Sequence, residues 1–362
     1  YLQDPILPVR AHGLHLLTRL VSKVARNHSA KCYGDELDHA LIPEIFDLFL
    51  HAIQDDESFL YLNAVQGLAQ MAMSWRDAVL RPLMAMYVGG DKTQDGMSHA
   101  LSYGQELTQR ETDQRLRIGE AILQVLQHLG EAVVSELDRI VPPLLTAVRN
   151  PLFSATLRSS FISILGTCVE IAPTALAADR SSVHMVHMCT ELIQATTERR
   201  AIRQRSRVRA SVQGVGAGGE VTERSLDDED EEEAMWEREA TSGTDRDVHR
   251  PQLRRAALLL LLMLLRATQE QLDDYRESCE RDLDDIDAPL SALRLPGGGV
   301  LPDVHGRAKP TLPPLLVPVD VLGSVMPVVT YMAQEEADNV VRVQAQDCID
   351  HIRLVELAYI GL

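Results

Sequence analysis

His184 and His187 stand three residues apart with Cys189 close behind, and histidines at that spacing share one face of a helix. A zinc ion needs three or four ligands, and no carboxylate or further thiol arrives here with ligand spacing. The pair therefore reads as ordinary helix-surface histidines, and no metal is expected. The glycine stretch GVGAGG (214–219) lacks both the Lys-Ser/Thr and the preceding strand of a phosphate-binding loop, and neither GxSxG nor HExxH occurs. His12, inside VRAHGL, has no identifiable nucleophile to serve and reads as a packing or capping residue. Cys32, Cys168, Cys189, Cys279 and Cys348 lie far apart, are odd in number and form no CxxC, which points to free thiols in a reducing compartment. The expectation is a protein that is not an enzyme and carries no cofactor.

The residues that do recur are arginines. A turn-forming Asp, Asn or Pro precedes an apolar residue and then Arg, and small and apolar residues follow at helical spacing. The instances are DPILPVRAHGLHLL (4–17), DQRLRIGEAILQVL (113–126), NPLFSATLRSSFISIL (150–165), HRPQLRRAALLLLL (249–262) and ADNVVRVQAQDCI (337–349). A sixth copy, DDESFLYLNAVQGLAQM (55–71), has Asn63 where the others have Arg. The anchors Arg10, Asn63, Arg117, Arg158, Arg254 and Arg342 are separated by 53, 54, 41, 96 and 88 residues. A HEAT or armadillo repeat takes ~40 to 47 residues, so the larger gaps hold insertions. Between anchors lie second apolar stripes at 41–53, 78–88, 137–148, 183–195 and 321–332. Each repeat thus reads as two antiparallel helices, neither of which can bury its stripe alone. The arginines could form a ladder that grips acidic partners, but the preferred reading is structural: a guanidinium at a fixed point bonds the carbonyls or the Asp of a neighbouring turn.

Composition agrees with helices. Aromatic residues are only 4% of the 362, while aliphatics carry most of the 45% hydrophobic content, which suits packed helices better than a β-sandwich. The net charge of −18 opposes a phosphate grip, so no direct nucleic-acid binding is expected. The longest apolar run, Ala256 to Leu265, has ten residues between arginines, against the ~20 that span a bilayer, and reads as the buried part of a helix rather than a transmembrane segment. Three stretches break the pattern. Gly89 to Ser102 is a polar loop. Arg199 to Arg250 opens with an arginine run (Arg199, Arg200, Arg203), passes through glycines and enters DDEDEEE at 227–233. Residues 220–247 hold 13 acids and 3 arginines, too little apolar surface to fold, and are expected to be disordered. Asp284 to Pro318 is rich in Pro and Gly, through which helix cannot persist.

The blocks DPILPVRAHGLHLLTRL (4–20), DDESFLYLNAVQGLAQM (55–71), RLRIGEAILQVLQHLGE (115–131), LRSSFISILGTCVEI (157–171), LRRAALLLLLMLLRA (253–267) and DNVVRVQAQDCIDHI (338–352) occur in an order that resembles the C-terminal HEAT-repeat region of a eukaryotic family. Its members are known in fungi as RNA polymerase II assembly and nuclear-import factors, and in animals as transport-and-Golgi-organisation proteins. The VRAHGL and YLNAVQGL blocks are the specific part of the resemblance. It implies a cytoplasmic adaptor whose partners are RNA polymerase II subunits, assembly chaperones or importins, shuttling to the nucleus. The alternative it implies is a Golgi-associated secretion factor that meets coat proteins. The family offers no catalytic residues to carry over.

The sequence therefore predicts an all-α chain: a HEAT/armadillo-like α-solenoid of about six helical pairs with long disordered insertions. The repeats occupy 1–198, a basic-then-acidic insertion 199–250, a further helix 251–283, a Pro/Gly-rich loop 284–318 and a final helical pair 319–362. Because the sequence starts at Tyr1 inside a structured pattern, a longer polypeptide with an N-terminal part is expected. The candidate partner-binding loop is Arg199, Arg200 and Arg203 with Asp227, Asp228 and Glu229, and Met235-Trp236 as its apolar anchor.

Overall fold

A computed structural model describes residues 6–29, 41–55, 57–89, 107–194, 251–284 and 314–360. Among them every regular element is helical and none is a strand. In chain order they are α1 (Leu7–Ser29), α2 (Leu41–Ile53), α3 (Ser58–Ser74), α4 (Arg76–Val88), α5 (Gln109–Leu129), a 3-10 segment (Gly130–Glu136), α6 (Leu137–Arg149), α7 (Ala155–Ile171), α8 (Pro173–Ala178), α9 (181–194), α10 (Pro251–Asp284), α11 (Val319–Glu335) and α12 (Asn339–Ile360). As far as they are described, the anchor blocks and the second stripes fall on these helices, and the 41–53 stripe coincides with α2. The polar loop after Gly89, the 199–250 insertion and most of the 284–318 loop lie outside the described residues.

Local chemistry sets the boundaries. Thr108 and Glu111 form a reciprocal capping box at the start of α5: the Glu111 amide donates to the Thr108 hydroxyl at 3.3 Å, and the Thr108 amide donates to the Glu111 carboxylate at 2.9 Å. Ser154 caps α7 by accepting from the Leu157 amide. At the end of α4, Gly89 has φ +81°, and a Cβ there would fall 2.8 Å from the Arg115 guanidinium. Arg115 in turn donates to the Tyr87 carbonyl, so glycine serves both the left-handed turn and the bond behind it. Two elements were not legible as separate helices. Gly130, at φ +51°, turns the chain into the 3-10 segment, and Pro173 restarts a helix as α8 after Ala172.

Packing follows the order of the chain. The helices α1, α3, α5, α7, α10 and α12 form a row in which each lies against the next, while α2, α4, α6 and α11 pack on the following member of that row. Neighbours in the row run parallel. Arg10, Thr18 and Ala25 of α1 meet Asp55, Asn63 and Ser74, and Arg254, Arg266 and Arg276 of α10 meet Glu336, His351 and Ala358. Asn63 uses its amide to donate to the Phe59 carbonyl within its own helix, and its main-chain oxygen accepts from Thr18.

Small residues let the helices approach. At Gly67, in the YLNAVQGL block, a Cβ would come within 2.2 Å of the Phe49 ring of α2, and at Gly119 within 2.6 Å of the Tyr87 ring of α4. Tyr87 is fully buried there, edge-on to Phe161 at 4.7 Å, with its hydroxyl 2.6 Å from Ser160. This aromatic knot ties α4, α5 and α7 together. In α10, Leu258, Leu260, Leu261, Leu262, Leu264 and Leu265 are buried between α7 and α12, whereas Leu259 is 49% exposed. Among the described residues no helix is long and apolar enough to cross a membrane.

Candidate functional site

Arg10, Arg117, Arg158 and Arg254 lie on helices of the row and reach an adjoining turn or helix end, with different partners. Arg10 donates to the Asp55 carboxylate at 2.8 Å, in the turn that leads into α3. From the other side Arg117 of α5 donates to the carbonyls of Gln54 and Asp55 at 3.1 and 2.8 Å. One turn is thus held by two helices, and Asp55 also accepts from the Glu57 amide. Arg158, itself buried, donates to the Val148 carbonyl at 2.6 Å, pinning the end of α6 to the start of α7. Arg254 pairs with Glu336, both buried, and Arg255 beside it pairs with Asp338, so α10 grips the turn that leads into α12.

Arg342 departs from the expected pattern. It is exposed and bonds Asn339 of its own helix, because α12 is the last member of the row among the described residues and no later turn lies beside it. The candidate loop residues Arg199, Arg200, Arg203, Asp227, Asp228, Glu229, Met235 and Trp236 lie outside the described residues.

His184 and His187 are exposed on α9 while Cys189 is buried, so the three do not converge. Among the described residues no three His, Cys, Asp or Glu side chains come together as a metal ion requires. Burial pushes the Cys168 thiol up to about 12, does the same to Cys348, and shifts Cys189 in the same direction. Thiols held protonated in this way are poor nucleophiles.

The titration of His351 is displaced. Burial, and then the Arg266 charge, hold its imidazole below the usual value of 6.5, against the opposing pull of Asp347 and Asp350. The ring bridges α12 to α10, 3.3 Å from Arg266 Nε and 3.2 Å from Gln269 Oε1. Folding therefore favours the neutral ring, and its contribution is present above the unfolded-state value and lost as pH falls below about 6.5 toward the folded-state value. The expected result is a smaller fall in Tm between about pH 7.5 and pH 5.5 for His351→Gln than for the native chain. Equal falls in the two proteins would remove His351 as the cause.

One surface was not visible in the sequence. On α3, Phe59, Leu62 and Met73 are 61%, 57% and 49% exposed and share one face with Gln66, although the YLNAVQGL block reads simply as apolar. The side chains that α3 buries, among them Leu60, Ala64, Val65 and Leu68, lie on its other faces. The spacing 59, 62, 66, 73 was the available signal, since it repeats the helical period on the side away from the buried stripe.

The sequence model of a family described as "Required for nuclear transport of RNA pol II C-terminus 1" matches residues 1–132, the stretch from α1 to α5. This is the family that the blocks at 4–20 and 55–71 resemble. Similar curated proteins include the RNA polymerase II assembly factor RTP1 of Saccharomyces cerevisiae, 23% identical over 174 residues, which are 47% of this chain and 15% of that protein. The RNA polymerase II assembly factor rtp1 of Schizosaccharomyces pombe is 22% identical over 151 residues, 41% of this chain and 16% of its own length. The matched stretch thus spans about a sixth of these relatives. No solved structure matches. The family-matched stretch contains the Asp55 turn with both arginines that hold it, and the exposed face of α3.

Proposed function

We propose that this chain is part of a non-enzymatic helical-repeat scaffold that assists assembly and nuclear import of RNA polymerase II. The observation that carries the reading is the match of residues 1–132 to a family described by nuclear transport of that polymerase, joined by two relatives named as its assembly factors. The row of parallel helices, each lying on the next, supports a HEAT-like solenoid, in which stability is a sum over layers and their interfaces. In this reading Arg10, Arg117, Arg158 and Arg254 are structural, fixing the turns that set one layer on the next. The repeats fill 1–198, 251–283 and 319–362, and the 199–250 and 284–318 segments are insertions.

Such a scaffold offers a long helical surface to large protein partners: polymerase subunits, assembly chaperones or importins. It works in the cytoplasm and accompanies its cargo toward the nucleus. The relatives' names favour this reading over a membrane-traffic role with coat proteins. Affinity purification of the tagged chain, with its co-purifying proteins identified by mass spectrometry, is expected to return RNA polymerase II subunits with assembly chaperones or importins. Recovery of coat subunits without polymerase would overturn it.

A further inference from the structure

The exposed face of α3 has a neighbour of unusual charge. The chain as a whole carries −18, yet α1, which lies parallel beside α3, contains no acidic residue at all. Its exposed side chains include His12, His15, Arg19 and Lys23. The contacts of Thr18 with Asn63 and of Ala25 with Ser74 set the register between the two helices. They place His15 and Arg19 level with Phe59 and Leu62, and Lys23 level with the Met73 end. On the other flank α5 contributes Glu120, which lies against Tyr61. The surface is therefore polarised, with a basic edge along α1, an apolar stripe along α3 and an acidic residue beyond it. An exposed Phe and Leu one helical turn apart, with cations along one side, fit a segment that carries a large apolar anchor next to a run of acids.

This chain contains such a segment. In LDDEDEEEAMWERE (226–239), seven consecutive acids are followed, after Ala234, by Met235 and Trp236. Residues 220–247 together carry 13 acids against 3 arginines. We propose that this acidic segment docks on the face formed by α1 and α3, with Met235 and Trp236 on Phe59 and Leu62 and the acids 227–233 along His12, His15, Arg19 and Lys23. Complementary charge selects this face over the others. Among the described residues, only here does an exposed apolar stripe meet a helix without acids: the exposed leucines of α12, Leu354 and Leu357, share their helix with Asp347 and Asp350.

Distance permits the contact. The row places α7 two layers from α3, roughly 20 Å at helix-packing separations. The roughly forty residues between the end of α9 and Trp236 reach several times that far when extended. Tethering in the same chain supplies an effective concentration of order mM, so even a weak contact is populated. Bound there, the segment covers the apolar stripe within the family-matched stretch and competes with any acidic, aromatic-bearing partner for it. The inference does not depend on the polymerase reading.

The test uses the full chain with Trp236 replaced by the photoreactive p-benzoylphenylalanine, irradiated at low protein concentration and mapped by mass spectrometry. Adducts are expected within the same molecule, on peptides from α3 and the adjoining part of α1. The double variant Phe59→Ser/Leu62→Ser is expected to cut that adduct about tenfold by removing the apolar seat. Arg19→Glu/Lys23→Glu is expected to cut it several-fold, as is raising the salt to about 0.5 M, where charges are screened within a few ångströms. All four positions are exposed, and an unchanged Tm for each variant shows that the fold is intact. Absence of an adduct, an adduct mapped to another part of the chain or to a second copy, or one that ignores both double variants, would overturn the proposal.

Discussion

Leu261→Asp is expected to lower the melting temperature by at least about 10 °C, whereas Leu259→Asp, two residues away in the same run of leucines, leaves it nearly unchanged. Leu261 has no exposed surface and lies on the stripe packed between α7 and α12. Its replacement removes the ~2 to 3 kcal/mol of a buried leucine. It also forces a carboxyl into an apolar site, either charged without a partner or protonated at the expense of a large pKa shift. Together these amount to about 5 kcal/mol, a large part of the 5 to 15 kcal/mol that holds an ordinary domain together. Leu259 is 49% exposed, so its carboxylate stays in water. At ~2 to 4 °C per kcal/mol for a unit of 150 to 250 residues, Leu261→Asp should melt at least about 10 °C lower, and Leu259→Asp within a few degrees of the native chain. Circular dichroism at 222 nm reads both. Equal melting of the two variants would mean that α10 is not sandwiched in the core.

The contrast between these two leucines marks how far the sequence could be read. Turn residues, arginine anchors and helical spacing placed six first helices and five second helices where they are observed among the described residues. Those signals are local, and a helix is mostly a local structure. The ten-residue run of Ala256 to Leu265 announced burial as a whole but not that Leu259 faces water, because in a saturated run the periodicity has no contrast. The arginines were legible as recurring helix residues, yet not their partners: a carboxylate for Arg10, main-chain carbonyls for Arg117 and Arg158, a buried acid for Arg254. Partners come from residues tens of positions away, which spacing cannot specify. The same limit hid the outer face of α3, where Phe59 and Leu62 look like core residues until the helices on either side are in place.

Glu336 was the least legible of all. Within AQEEADN it looks like a surface acid beside Glu335, and Glu335 is indeed exposed. The turn between α11 and α12 carries Glu336 beneath Arg254, where their side chains are 2% and 6% exposed. One oxygen of its carboxylate also accepts from the amides of Ala337 and Asp338, so the same group neutralises a buried cation and caps a turn. Beside it Asp338, held below the usual carboxylate range chiefly by its bond to Arg255, accepts from the amides of Val340 and Val341 at the start of α12. Taking a guanidinium and a carboxylate out of water costs about as much as their attraction returns, so the intact pair contributes little net stability.

Breaking the pair is another matter. Glu336→Met leaves the Arg254 charge buried without its carboxylate and is expected to cost about 3 to 5 kcal/mol. Arg254→Met is expected to cost less than that, because the remaining carboxyl can take up a proton and keeps its bonds to the turn amides. The double variant Arg254→Met/Glu336→Met removes both charges and fills the space with apolar atoms. It should recover most of what Glu336→Met loses, falling short of the native chain by the two amide bonds, roughly 1 to 2 kcal/mol. Thermal melting of the four proteins closes the cycle. If the double variant were as unstable as the sum of its parts, the turn would depend on the ion pair itself, and α12 would be held to α10 by charge rather than by the apolar contacts of Val341, Ala345, Cys348, Ile352 and Val355.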